Sequence, residues 1–319
     1  MPKFCLIGGA GFVGRNMARF LTDNGHEVSI IDKACWPEEW GGPAGARCSC
    51  QAITPRMVAG CDVLVHLASI TDYHPTYGEY VRNNVAELAS LFEHTLDVGA
   101  FVLISSQTVY GTAPLPYDPS DGITRPTEHY GLSKLMQEQV SSLLCRVSLY
   151  ILRPSIILGP GQNPRSLYAG LIKNTVARLN AGMSPMIYGD GTQLRSYVDV
   201  RDVARYVELV AESRTPRISN ATSNEGPLSV NYIVGKIGGL MGVDIEPCVG
   251  EWERVVDLQQ KDQVSACAWP EFWGPAATGK ALKEYVESLL VSGNLPSREY
   301  IEQTDRENVE WGVVRKVEK

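Results

Sequence analysis

The feature that most constrains this chain is an alternation in its first half. Five short runs, "FCLIGG", "EVSIID", "DVLVHLAS", "FVLISS" and "SLYILRP", each have the length of a buried strand. Segments with the helix period lie between them. In "GFVGRNMARFLTDNG", Val13, Met17, Phe20 and Leu21 share one helical face, and Gly25 supplies a stop. "NNVAELASLFEHTLDVG" sets Val85, Leu88, Phe92 and Leu96 on one side, with Gly99 at its end. Apolar strands alternating with helices predict an α/β fold, a doubly wound parallel sheet covered on both faces. Between Lys33 and Gly60, Gly and Pro are frequent and no strand is assigned. Past about Gly161 the alternation fades.

The turn "IGGAGFVG" joins the first strand to the first helix and carries glycines at 8, 9, 11 and 14. Gly9 to Gly14 reads G-x-G-x-x-G, and Gly8, Gly11 and Gly14 repeat every third residue. Glycines let the backbone turn tightly and approach a pyrophosphate, while the helix start offers N–H groups and a favourable dipole. Asp32 closes the second strand. A carboxylate there accepts hydrogen bonds from a ribose diol and repels a 2′-phosphate, so NAD is expected rather than NADP; Lys33 beside it opposes that preference. Residues 1–163 are expected to form the dinucleotide-binding domain, with the segment near 197–222 returning to it. Residues 164–319 are expected to form a smaller C-terminal substrate-binding lobe and a charged tail.

Bulk properties narrow the function. The net charge is −7 and no Lys/Arg block occurs, which argues against nucleic-acid binding. No apolar run is long enough for a membrane span. The chain opens on "KFCLIGG" after Met1 and Pro2, without the pattern of a secretory signal. Its eight cysteines form no CxxC pair, and Cys48, Cys50 and Cys61 lack the paired spacing of a zinc site. A cytoplasmic enzyme with reduced thiols and no metal is expected.

Four further stretches follow the glycine turn in order: "DVLVHLAS" (62–69), "SSQTVYG" (105–111), "YGLSK" (130–134) and "YGDGTQLRSYVDVRDVA" (188–204). Together with "GGAGFVG" they resemble the extended short-chain dehydrogenase/reductase family, in its NAD-dependent nucleotide-sugar epimerase/dehydratase branch. The resemblance runs from Lys3 to about Asn220. It implies a catalytic set of Tyr130, Lys134 and Ser106, with Ser105 able to share the last role. It implies NAD held by Gly8, Gly11, Phe12, Val13, Gly14, Asp32, Leu67 and Ala68 as well as Tyr130 and Lys134. A nucleotide-sugar substrate would meet Ser106, Gln107, Thr108 and Arg195, with Asp199 supporting the loop. Family members commonly form homodimers through the YxxxK helix, where Leu132, Leu135, Met136, Val140 and Leu143 are available to core and interface.

The chemistry fits the residue types. Positions i and i+4 share a helix face, so Tyr130 and Lys134 point the same way. A free phenol titrates near pKa ~10. A nearby ammonium and a positive nicotinamide ring favour the phenolate, and a shift of about three units corresponds to roughly 4 kcal/mol. Dehydratases of this branch carry Asp-Glu where Gln107 and Thr108 stand, and decarboxylases usually carry Glu at the second position. A small residue followed by Thr is typical of the 4-epimerases, whose chemistry needs only the tyrosine, the Ser/Thr and tightly held NAD; Thr108 matches the second position, and the resemblance implies C4 epimerisation of a UDP-hexose or related sugar through a 4-keto intermediate. A 4-keto-sugar reductase or dehydrogenase is the alternative, with a dehydratase behind it. The chain departs from the family pattern at Ile156, where Asn is frequent, and at Glu128-His129, where Ser-Pro is common. It also has no acidic residue between Glu39 and Asp62 to hold an adenine amine. His129 is a candidate extra acid/base.

Overall fold

The computed structural model describes residues 1–38, 47–49, 54–71, 76–93, 96–162, 170–213, 217–245, 252–254, 262–266, 278–292, 295–310 and 314–316. In chain order the first half forms β1 (Lys3–Ile7), α1 (Phe12–Asp23), β2 (Glu27–Ile31), β3 (Arg47–Ser49), α2 (Pro55–Val58) and β4 (Cys61–His66). Next come α3 (Tyr77–Tyr80), a π-helical segment (Val81–Ala86), α4 (Glu87–Leu91), β5 (Val98–Ile104), α5 (His129–Leu144) and β6 (Ser148–Pro154). The second half adds β7 (Ile156–Leu158), α6 (Gly170–Asn180), β8 (Leu194–Arg195), β9 (Tyr197–Asp199) and α7 (Val200–Ser213). It continues with β10 (Arg217–Ala221), β11 (Leu228–Ser229), α8 (Val230–Met241) and α9 (Thr278–Val291).

Seven strands make one sheet in the order β3-β2-β1-β4-β5-β6-β10, and every pairing is parallel. Its first six positions are the Rossmann order 3-2-1-4-5-6, which reverses between β1 and β4. Side chains alternate along each strand, and both faces are buried. Phe4 and Leu6 join a core with α1 and α7 residues such as Met17, Leu21, Val203 and Val207. Cys5 and Ile7 join the opposite core with Leu64, Leu88, Leu91 and Phe101. A separate apolar cluster gathers α6, α8 and α9 around Ile172, Ile233, Leu282 and Tyr285.

Two sequence expectations change. Arg47–Ser49 forms β3, pairing with β2 from Ser29↔Arg47 to Ile31↔Ser49; its sequence, "RCS", is too short and polar to announce a strand. The helix expected to run to Gly99 instead ends at Leu91, and Gly99 lies inside β5. Pairing of Val98 and Ala100 with Cys61 and Val63 draws that segment into the sheet.

Candidate active site

The carboxyl ends of β1 and β4 meet where the strand order reverses, the position at which open α/β sheets take their ligands. Gly8 has φ +81°, and a Cβ there would lie 2.6 Å from the Ala68 nitrogen. Only glycine lets the first turn approach Leu67 and Ala68 this closely. A Cβ on Gly14 would lie 2.5 Å from the Gly9 Cα, so this glycine lets α1 pack on its own turn. Gly11 is the N-cap of α1, which has no side-chain cap and no acidic residue in its first turn, where Phe12 and Val13 lie. The helix start is thus suited to an anion. The Asp32 carboxylate accepts from the Ala10 and Ala34 N–H groups, each at 2.9 Å, which fixes it beside the turn. Lys33 is ion-paired with Glu87. These features fit the pyrophosphate and ribose of a dinucleotide.

The end of β5 brings Ser106 to the start of α5. Ser106 Oγ accepts from the Thr108 N–H at 3.2 Å and from Thr108 Oγ1 at 3.0 Å, and its side chain acts on the Tyr130 phenol in the direction that favours the phenolate. Lys134, one turn further on, is buried and donates from Nζ to Ser69 Oγ at 3.1 Å. Ser105 is committed elsewhere, donating from Oγ to Glu138 Oε1 at 2.5 Å. Of the two serines, Ser105 is thus engaged by Glu138, and Ser106 is the one whose side chain acts on the Tyr130 phenol.

Burial acts against the phenolate that Lys134 and a nicotinamide ring together are expected to favour. Burial and the neighbouring Tyr80 push the Tyr130 phenol above its ordinary value, and the Ser106 side chain opposes them. Burial likewise pulls the Lys134 amine down to about 7, with Glu138 acting in the opposite direction. In this dry pocket desolvation outweighs the lysine's charge.

Beside this set lies a cleft lined by Gln107, Thr108, Gly111, Tyr117, Thr127, Glu128 and Gln263. Gln107 is buried, and its Oε1 accepts from Ser265 Oγ at 3.1 Å. Residues 262–266 form a strap, with Gln263 bonded to Leu194 and Ser196 and Val264 to Tyr117 through the backbone. Arg195 stands behind that wall. It is buried, donates from Nη1 to the Leu194 carbonyl at 2.8 Å, and has Tyr197, Asp262 and Tyr117 as neighbouring charged or titratable groups. Asp199 accepts from the Arg201 backbone and guanidinium. His129 is exposed, its ring 5.7 Å from that of Tyr77.

Sequence reasoning missed Asn84, Tyr117, Thr127 and the strap. Asn84 sits in the π-helical segment, accepts from the Ile70 N–H at 2.8 Å and donates to Ser133 Oγ at 3.0 Å. Gln137 donates to its carbonyl. Asn84 thus ties the loop after β4 to the Tyr130–Lys134 helix. The adjoining polar residues "RNN" were its one available signal. Of the three cysteines weighed as a metal set, Cys50 lies outside the described residues, and among those described no group of three ligands is placed to hold a metal ion. No described helix is long and apolar enough to cross a membrane.

A parallel sheet in this order, with a glycine turn at the reversal and a polar cleft over its carboxyl edge, defines a Rossmann-type α/β protein. The model of the NAD-dependent epimerase/dehydratase family matches residues 4–221, and the chain belongs to that family. A putative UDP-glucose 4-epimerase of Methanocaldococcus jannaschii is 30% identical over 283 residues, covering 81% of this chain and 91% of the relative. A dTDP-4-dehydro-6-deoxy-D-allose reductase of a Streptomyces species is 23% identical, covering 81% and 89%. Among solved structures, MoeE5 in complex with UDP-glucuronic acid and NAD superposes with a TM-score of 0.77 at 26% identity, covering 91% of this chain and 99% of that one.

Proposed function

We propose that the chain is an NAD-dependent nucleotide-sugar epimerase that inverts C4 of a UDP-hexose or related sugar. The observation that carries this reading is the grouping of Tyr130 with Ser106, itself hydrogen-bonded to Thr108, beside buried Lys134, with Gln107 engaged by Ser265. The glycine turn and Asp32 would hold NAD, and Lys134 would donate to its nicotinamide ribose. The cofactor would supply the hydride acceptor, and then the hydride donor, at C4. Tyr130 takes the proton from the C4 hydroxyl at its phenol oxygen and gives it back, which asks for nearby positive charge to offset its burial. Ser106 hydrogen-bonds the same hydroxyl and orients it. Thr108 lines the sugar cleft, and Gln107, an amide, neither gives nor takes the proton that elimination of water requires. Arg195 supports the nucleotide side of the cleft.

A net 4-keto-sugar reductase is the second reading, favoured by the extent of the match to the Streptomyces reductase. The test is to incubate the protein and NAD with UDP-, dTDP-, GDP- and CDP-sugars and analyse the products by chromatography with mass detection. A new peak of unchanged mass supports epimerisation. A product that has lost water, carbon dioxide or two hydrogens contradicts it.

We also propose a homodimer built on α5. The helix carries Leu132, Met136 and Val140, partly buried, Leu135, packed against the Val109–Tyr110 cluster, and Leu143, 72% exposed. Apolar residues along it suit a self-complementary helix pairing.

A further inference from the structure

Helix α5 turns a polar face inward: Ser133, Lys134, Gln137, Glu138 and Ser141 are its buried residues besides Gly131. Lys134 is 1% exposed and Glu138 4%, one helical turn apart on the same face. A buried ion is costly unless opposite charge or hydrogen-bond partners meet it. Glu138 is held by three donors. Arg153 Nε reaches Oε1 at 3.0 Å, Arg153 Nη2 reaches Oε2 at 2.6 Å, and Ser105 Oγ reaches Oε1 at 2.5 Å. Its pairing with Arg153 is a buried ion pair, with both side chains 5% exposed. The Lys134 amine, by contrast, donates to the neutral Ser69 hydroxyl.

We propose that Glu138 is a positioning residue of this site: locked by Arg153 and Ser105, it supplies the buried negative charge that keeps the Lys134 amine a cationic hydrogen-bond donor. The inference rests on the reading of Lys134 as a cofactor-holding residue. The other groups facing Lys134 do not supply that charge. His66, at the end of β4, is pulled down to about 3 by burial and by Lys134 itself, so its ring is neutral near neutral pH. Arg153, on β6, is paired with Glu138. The Tyr130 phenol on α5 is pushed up by burial and so carries no charge near neutral pH, and the Tyr80 ring on α3 lies 6.2 Å from it. Burial alone drives the amine toward its neutral form, and Glu138 is the influence opposing it.

The sign of the pH effect follows. Binding that depends on protonated Lys134 is present below the pKa of the amine and lost as pH rises through it. Removing Glu138 lowers that pKa, so the loss occurs at lower pH.

The test is NAD affinity of the full chain by calorimetry from about pH 6 to about pH 10, in wild type, Lys134→Met, Glu138→Gln and Glu138→Asp. The wild type is expected to show an alkaline fall in affinity that Lys134→Met lacks. Glu138→Gln should move that fall about one pH unit lower, and Glu138→Asp, which keeps the charge, should leave it near its wild-type position. Because Glu138→Gln strands the Arg153 guanidinium, a double variant, Glu138→Gln with Arg153→Met, removes the pair together, a replacement that buried ion pairs often tolerate. It should shift the fall in the same direction. An unmoved fall in the variants, or an equal shift in Glu138→Asp, overturns the proposal while NAD binding itself stands. Failure of the wild type to bind NAD at any pH overturns the reading of the site together with this inference.

Discussion

Helices α1 and α5 both pack beside the parallel sheet, yet they bury opposite kinds of surface. In α1 the buried side chains are Met17, Ala18 and Leu21 with Asn16, and its apolar residues join the core that includes Phe4, Val63 and Val203. In α5 they are Ser133, Lys134, Gln137, Glu138 and Ser141. The first helix is held by removal of apolar area from water, at roughly 25 cal/mol per Å². The second is held by hydrogen bonds to Asn84, Ser69, Ser105 and Arg153. On the proposed function, stability and chemistry are carried by different elements, and substitutions in the two helices should have different signatures.

The largest contrast is expected at Tyr130. Tyr130→Phe should lower turnover by about 10³-fold while NAD affinity and the melting temperature stay near wild type; turnover within a few-fold of wild type would remove the phenol from the mechanism. In α1, Leu21→Ala should cost about 2–5 kcal/mol in denaturant unfolding through the cavity it leaves, with turnover per folded molecule unchanged. A loss of turnover without a loss of stability would break the division of roles.

A smaller effect is expected at His66, where β4 ends near Lys134 of α5. Its folded-state value, about 3, lies below the ordinary value of 6.5, so the unfolded ring binds a proton that the folded ring refuses. Stability should fall as pH drops below about 6.5 and go on falling toward pH 3. His66→Phe should flatten that acid loss, as read by unfolding at about pH 7 and about pH 4; an identical acid slope in the variant would assign the loss to other groups. The smallest change in intrinsic stability is expected at Leu143. Leu143→Glu should alter protomer stability by no more than about 0.5 kcal/mol, yet convert a dimer to a monomer in sedimentation. A wild-type monomer, or a variant that still pairs, would rule out the α5 interface.

The same contrast explains what the sequence disclosed. The α1 face was legible because its apolar period and its burial coincide: Val13, Met17 and Leu21 recur on one side, and that side meets the sheet. In α5 period and burial diverge. Leu132, Leu135, Met136, Val140 and Leu143 mark the apolar face, but the buried face is polar. Hydrophobic periodicity reports which side is apolar, and partners far along the chain decide which side is covered. Strands β1, β2, β4, β5 and β6 were legible for the reason α1 was. Strand β3 was not, because its three residues gain their structure from pairing with β2. In the site, the glycine turn, Asp32 and the Tyr130–Lys134 spacing could be read locally. The engagement of Ser105 depended on Glu138, and the cleft wall depended on Gln263, placed by backbone bonds to Leu194 and Ser196. No local pattern encodes such long-range partners.

The central claim is that hydride leaves C4 and returns to the same carbon while Tyr130 moves the proton. The most direct measurement uses a UDP-hexose labelled with deuterium at C4, turned over by the protein in ordinary water with NAD present. The account predicts a C4-inverted product that keeps its deuterium, with no accumulation of reduced cofactor. Loss of the label to solvent, or reduced cofactor formed in step with product, would contradict it.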